Sequence, residues 1–325
     1  MICIEVVRGS FVESRHYCYA VVVDELGNIV HQYGDGRLLT SPRSAIKFLQ
    51  ALPLVESGAA EAFRLRSEQI ALACSSHNGE DRHIQLLETW MKESGIPESW
   101  FHCGPHLPYY EPAAHQWICS GRTLTAKLNN CSGKHLGMMT TALHLKEDAP
   151  SYFDYQHPRQ KYLRKLLTEA SGFDHETAPW GVDGCGIPTY ALPLTNMAQG
   201  MAYLIRPHKV SKDLQQACQV ILQAVKDHPY YVAGTNDFNT TIIEKTKGQS
   251  VIKVGAEGVY CGVLPEKGLA FALKCLDGNI RASEPATAWL LKKWGGLEEH
   301  VFPPIKNTLG EPVGEFRVFS LAEKA

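Results

Sequence analysis

Strand-like segments stand at both ends of this 325-residue chain, and a mainly helical stretch separates them. Ile2–Val7, Tyr17–Val23 and Ile29–Tyr33 carry the apolar and β-branched residues of a meander, with a turn at Glu25-Leu26-Gly27-Asn28. Ser250–Val254, Gly258–Leu264, Gly268–Lys274 and Val313–Ser320 repeat that character near the other end, with turns at Pro265–Gly268 and Asp277-Gly278. Each set presents an apolar face that needs covering, so the economical solution joins them. The expected fold class is α+β: an antiparallel sheet built from both chain ends, with flanking helices and a helical insert. One domain over residues 1–325 is expected, its sheet part roughly 1–40 and 245–325, its mainly helical part roughly 41–244.

Within the middle, residues 82–94, 135–144, 159–170 and 212–227 read as helices, and 281–294 gives one more near the end. Pro42 opens another, with Ile46, Leu49, Gln50, Leu52 and Val55 on one mostly apolar face; Pro53 should kink or shorten it and Gly58 should stop it. Ile70–Ser75 is a short buried run, strand-like around Cys74. Residues 101–121, rich in Pro, His and Gly, read as a long irregular segment, which in a compact domain suggests function. Gly181–Gly186 holds three glycines in six residues and must be a shaped loop.

The charges nearly cancel, 32 basic against 34 acidic residues, which argues against a nucleic-acid or anionic-membrane surface. No apolar run approaches the ~20 residues that span a bilayer, and Met1–Gly9 has no basic region followed by an apolar one. Ten scattered cysteines are not the framework of a small secreted domain. The cytoplasm is the expected compartment. There is no G-x-G-x-x-G after a first strand and no G-x-x-x-x-G-K-[ST], so nucleotide binding has no support.

Three motifs remain that carry chemistry. Ser44-x-x-Lys47 places a hydroxyl and an amine on one helix face, where a desolvated, neutral lysine can take the serine proton. Ser76-His77-Asn78 follows, and Lys253-Val254-Gly255 lies in a strand-like run. Together they match the S-x-x-K, S-x-N and K-T-G set of penicillin-interacting serine enzymes. In that logic Ser44 is the nucleophile, Lys47 its base and Ser76 the proton relay. Lys253 keeps the field positive, and Gly255 lets substrate approach the strand backbone. Singly each motif is a common coincidence; three in order on the expected kinds of element favour function. A second cluster pairs Cys131-Ser132-Gly133-Lys134-His135 with Asp183-Gly184-Cys185, two thiols bracketed by glycines that could hold Zn²⁺, with His135 or Lys134 as third ligand. Ordinary buried cysteines are the plainer alternative.

These stretches resemble the rhizobial-type (class 3) L-asparaginase family. The resemblance runs through Arg8-Gly9, Glu13–His16, Pro42–Ala59 and Ser76–Glu80. It continues through Asn129–His135, Asp183–Gly186, Lys253–Gly258 and Asp277-Gly278. It implies hydrolysis of L-asparagine to aspartate and ammonia on a β-lactamase/glutaminase-like fold, with Ser44, Lys47 and Ser76 at the reaction centre. It also implies one Zn²⁺ per chain on Cys131, Lys134 and Cys185, and a homodimer. Arg43, His77, Asn78, Asp183 and Glu257 are candidates for holding the substrate. Phe48 stands where the family pattern has proline, and Val254 where it has Thr or Ser; neither replaces a reacting group. The same apparatus could serve glutamine or a penicillin-like amide, or belong to a zinc-stabilised amino-acid-binding protein without catalysis.

Overall fold

The computed structural model describes residues 1–206, 211–298, 302 and 304–321. Strands β1 (Ile2–Arg8), β2 (Phe11–Asp24) and β3 (Ile29–Tyr33) open the main sheet. β2 is 14 residues long and serves three partners. Its first half pairs with β1, Ile2 opposite Cys18, and beyond the end of β1 the same edge passes to β3, Ala20 opposite Tyr33.

Two short pairings occupy the middle of the chain: β4 (Leu39–Thr40) with β7 (Leu192–Pro193), and β5 (Trp180–Val182) with β6 (Pro188–Tyr190). The later part of the chain then supplies β8 (Val251–Gly255), β9 (Val259–Leu264), β10 (Leu269–Cys275), β11 (Ile305–Lys306) and β12 (Pro312–Ser320). Among the described residues the sheet runs β11-β12-β1-β2-β10-β9-β8, with β3 also on β2. Every pairing in it is antiparallel, Leu269 facing Asp24 and Ile2 facing Ser320. The expected sheet from both chain ends is therefore present.

The two-residue period of a strand divides the sheet between two cores. Val21, Val23, Val251, Val259, Val263 and Ala270 face the helical insert. Ile2, Ile4, Val22, Ile252, Tyr260 and Phe271 face the other way, under the helix Ile280–Lys293. Lys253 has the parity of Val251 and so points at the insert.

Several local expectations differ from the structure. The buried run before Ser75 is a helix, Ser67–Ala73, and Cys74 caps it. With apolar residues at four successive positions, two of them alanine, its helix propensity outweighs its apolar continuity. Residues 101–121 contain a helix, Glu111–Cys119, whose Pro112 occupies the first turn, where no N–H is missed. Pro53 lies inside the helix Lys47–Glu56 without ending it, and that helix begins later than Pro42, after a 3₁₀ turn at Arg43–Ile46. Among the described residues no helix is long and apolar enough to cross a membrane.

Candidate active site

Ser44 sits in the 3₁₀ turn Arg43–Ile46, closed by an Ala45 N–H to Pro42 carbonyl bond of 2.9 Å. The turn is entered through Arg43 at φ +49°, the left-handed region a side chain seldom adopts. Such outliers persist only where the surroundings enforce them. Strand β8 is part of that enforcement. A Cβ on Gly255 would lie 2.4 Å from the Pro42 carbonyl oxygen and 3.1 Å from the Ala45 nitrogen. The space expected to admit substrate beside Gly255 is thus taken by the backbone that carries Ser44, and Gly255 fixes the distance between turn and strand.

Lys47 begins the following helix and is wholly buried, as is Lys253 on β8. Between them stands Ser76, in the extended stretch after the helix Ser67–Ala73. Lys47 Nζ donates to Ser76 Oγ at 3.0 Å and Lys253 Nζ to the same oxygen at 2.8 Å. Lys47 also donates to the Ser75 carbonyl and to Cys131 Sγ (3.2 Å), and Lys253 to the Val254 carbonyl (3.1 Å). Burial lowers the pKa of both amines. For Lys47 the nearby Lys134 adds to that effect, against the pull of Cys131. Lys253 is brought down to about 7, first by burial and then by Lys47. A lysine near neutrality in pKa can accept a proton as well as give one. Ser44 Oγ lies 4.0 Å from Cys131 Sγ, and among the described residues no hydrogen bond joins it to Lys47.

The thiol cluster borders this centre. Cys131 precedes the helix Ser132–His144, and that helix lies against the Ser67–Ala73 helix: a Cβ on Gly133 would come within 2.1 Å of the Leu72 carbonyl oxygen. Cys185 comes from the loop 181–186, and its thiol is hydrogen-bonded to that of Cys131. The pair shares one negative charge: the Cys131 bond and Lys134 draw Cys185 down to about 5 against burial. The same bond, with burial, lifts Cys131 to about 11. Lys134 Nζ donates to Cys185 Sγ at 3.1 Å. Burial works against its charge, but Cys185, Cys131 and Asp183 outweigh it and raise its pKa. Asp183 accepts from Arg43 Nε at 2.6 Å and from the Gly184 N–H at 2.6 Å, so the residue before the serine is tied to the loop carrying Cys185. Burial opposes the Asp183 charge, and Lys134 and Arg43 overcome it and lower its pKa.

The remaining candidates divide. His77 accepts from the Gly79 N–H at Nδ1 (3.1 Å), so its Nε2–H donates to Ser132 Oγ (2.8 Å), which donates onward to the Lys127 carbonyl (3.1 Å). Both ring nitrogens serve the protein, and the ring stacks on His83, itself stacked on Tyr230. His77 braces the Ser76 loop. Asn78 donates its backbone N–H to the Ala233 carbonyl at 2.7 Å, which fixes the backbone just beyond Ser76. Glu257 sits exposed at the turn between β8 and β9, joined by no hydrogen bond or ion pair to Ser44, Lys47, Ser76 or Lys253 among the described residues. Two further residues belong here. Asn130, within the Asn129–His135 stretch, accepts at Oδ1 from Cys131 Sγ (3.2 Å), and Asn239 Oδ1 accepts from the Val254 N–H (2.9 Å). Asn239 stands in no recognisable pattern, since it works on a backbone N–H.

The model of the family described as L-asparaginase II matches residues 4–318. The chain belongs to the L-asparaginase II family. Membership makes it an amide-bond hydrolase, and the serine–lysine centre is where this L-asparaginase II family member concentrates its buried titratable groups. No curated protein matches the chain. Among solved structures it is similar to a β-lactamase from Mycobacterium bovis, at 15% identity over 86% of this chain and 95% of that one, with a TM-score of 0.40. It is also similar to the D-alanine carboxypeptidase AmpC from Burkholderia cenocepacia, at 12% identity over 83% and 90% of the two chains, with a TM-score of 0.41.

Proposed function

We propose that this protein hydrolyses L-asparagine to aspartate and ammonia through an acyl-enzyme on Ser44. The observation that carries the reading is Ser76 Oγ held between two buried lysines beside the Ser44 turn. Residues three apart on a 3₁₀ turn eclipse one another, so rotation about χ1 brings Ser44 Oγ toward Lys47 Nζ. Neutral Lys47 takes the Ser44 proton as the oxygen bonds to the amide carbon. The C–N bond breaks as Ser76 Oγ gives its proton to the departing nitrogen, and a lysine ammonium restores that proton. Water then attacks the β-aspartyl ester, its proton passing to the same groups, and Ser44 leaves as the alcohol. Arg43 and Asn78 stand beside Ser44 and Ser76 in the chain, Asp183 is paired with Arg43, and the three are assigned to the substrate α-groups.

Cys131, Cys185 and Lys134 fit a zinc ion in donor chemistry: two sulfurs and an amine converge, Lys134 Nζ meeting Cys185 Sγ at 3.1 Å. Among the described residues no three His, Cys, Asp or Glu side chains gather for a metal, and we assign Lys134, whose Nζ meets Cys185 Sγ, as the third ligand. Both Cys131 and Lys134 must then lose protons, which makes loading pH-dependent. Bound there, zinc would orient substrate electrostatically and brace the loop 181–186. Protein purified without chelators should carry about one zinc per chain by elemental analysis, and Cys185→Ser should lose it, with KM rising about tenfold and kcat changing less. Wild-type protein without zinc, or a variant that keeps it, would exclude this ligand set. The cytoplasm is proposed as its compartment and a homodimer as its assembly.

The deciding experiment is ammonia release from L-asparagine and L-glutamine, run beside a chromogenic β-lactam. One methylene is discriminated by roughly 1–3 kcal/mol, so asparagine should lead glutamine by about 10- to 200-fold in kcat/KM. Faster turnover of the β-lactam, or no ammonia from asparagine, would refute the assignment.

A further inference from the structure

The segment Val232–Asn239 carries no motif, yet hydrogen bonds join it to both sides of the centre. At one end the Val232 carbonyl accepts from the Ser76 N–H (2.9 Å) and the Ala233 carbonyl from the Asn78 N–H (2.7 Å). Glu80 then takes Thr235 with both carboxylate oxygens, from the N–H at 2.7 Å and from Oγ1 at 2.6 Å. At the other end Asp237 caps the helix Phe238–Lys245. Its Oδ1 accepts from the Asn239 N–H and from Asn239 Nδ2, both at 2.7 Å. Asn239 is 1% exposed, and its remaining oxygen accepts the Val254 N–H at 2.9 Å. The loop of contacts closes through Lys253 Nζ on Ser76 Oγ at 2.8 Å.

β8 is the terminal strand of the described sheet order, paired to β9 on one side. Its outward N–H at Val254 has no strand to meet, and a buried N–H left without an acceptor costs roughly 1–3 kcal/mol. Asn239 supplies that acceptor, one residue from Lys253. We infer that Asn239, locked by Asp237, is a positioning residue that sets where Lys253 meets Ser76. The inference rests on the amidase reading only for its kinetic consequences.

Two variants test it. In Asn239→Ala, kcat should fall about 100-fold with KM within threefold. Amide exchange across Val251–Gly255 should speed at least tenfold while β10 stays protected. In Asp237→Asn the cap and its two bonds persist, because asparagine is an equally good cap, so kcat and exchange across β8 should stay within threefold of wild type. Unchanged kcat and exchange in Asn239→Ala, or a loss in Asp237→Asn as large as in Asn239→Ala, would overturn the assignment. If wild-type protein releases no ammonia, the amidase reading fails, and the exchange experiment still decides whether Asn239 holds β8.

Discussion

Replacing Ser44 by alanine is expected to abolish ammonia release from asparagine, a loss of at least about 10³-fold in kcat, while the protein stays folded. The side chain contributes little to stability: its one described polar contact is the 4.0 Å approach to Cys131 Sγ, too long to count for much. The turn that carries it is held by backbone, through the Pro42 carbonyl and the packing of Gly255. Circular dichroism and a melting temperature within about 2 °C of wild type should accompany the loss. Substitutions away from special features usually change stability by no more than ~0.5 kcal/mol, and this one should behave similarly. Turnover retained within tenfold would remove Ser44 as nucleophile and shift attention to Ser76.

Lys253→Met is expected to separate activity from stability. The amine is wholly buried, with its pKa down from 10.5 to about 7, so between those values the folded chain binds fewer protons than the unfolded one. Stability therefore rises with pH from about 7 to 10.5, and the burden is fully present below 7. At neutral pH the linkage is on the order of 4 kcal/mol against folding. Methionine keeps the volume and removes that burden, though it leaves Ser76 and the Val254 carbonyl each short of a donor. The net should be a melting temperature a few degrees higher and a flatter dependence of stability on pH above 7, with kcat down by 10² or more. A variant less stable than wild type at pH 7 would mean that Lys253 is not held against its charge.

The residues that announce the site do so because their chemistry is unusual for their surroundings. A serine and a lysine three apart, a lysine in an apolar strand and two thiols among glycines are legible wherever they stand. The sheet is legible too, since β-branched runs at both ends of a chain have few ways to be satisfied. What stays hidden works through the backbone. Gly255 reads as a space for substrate and is in fact a contact between two main chains. Asn239 is one asparagine among many until the fold brings the Val254 N–H to its side-chain oxygen. His77, beside Ser76 in sequence, reads as a site-lining residue, and only its hydrogen bonds to Gly79 and Ser132 show that it has nothing left to offer a ligand. The helix Ser67–Ala73 reads as strand because a short apolar run without a clear period fits either state.

The joining of early and late strands in one sheet also has a consequence for synthesis. β2 emerges from the ribosome with β1, but the partner for its far edge, β10, starts at Leu269, and the partner for β1, β12, starts at Pro312. At about 5–20 residues per second, the wait for β10 is on the order of 10–50 s. During it two apolar strands stand with open edges, the condition under which chains pair with the wrong neighbour. The first and last parts of the chain have to find each other across roughly 250 residues, a long loop to close, so folding is of high contact order and slow. The proposed reaction centre spans that divide, with Ser44 made early and Lys253 late. On that assignment a nascent chain is inert until β8 docks, and the interval in which its strand edges stand open is the interval in which it cannot yet act.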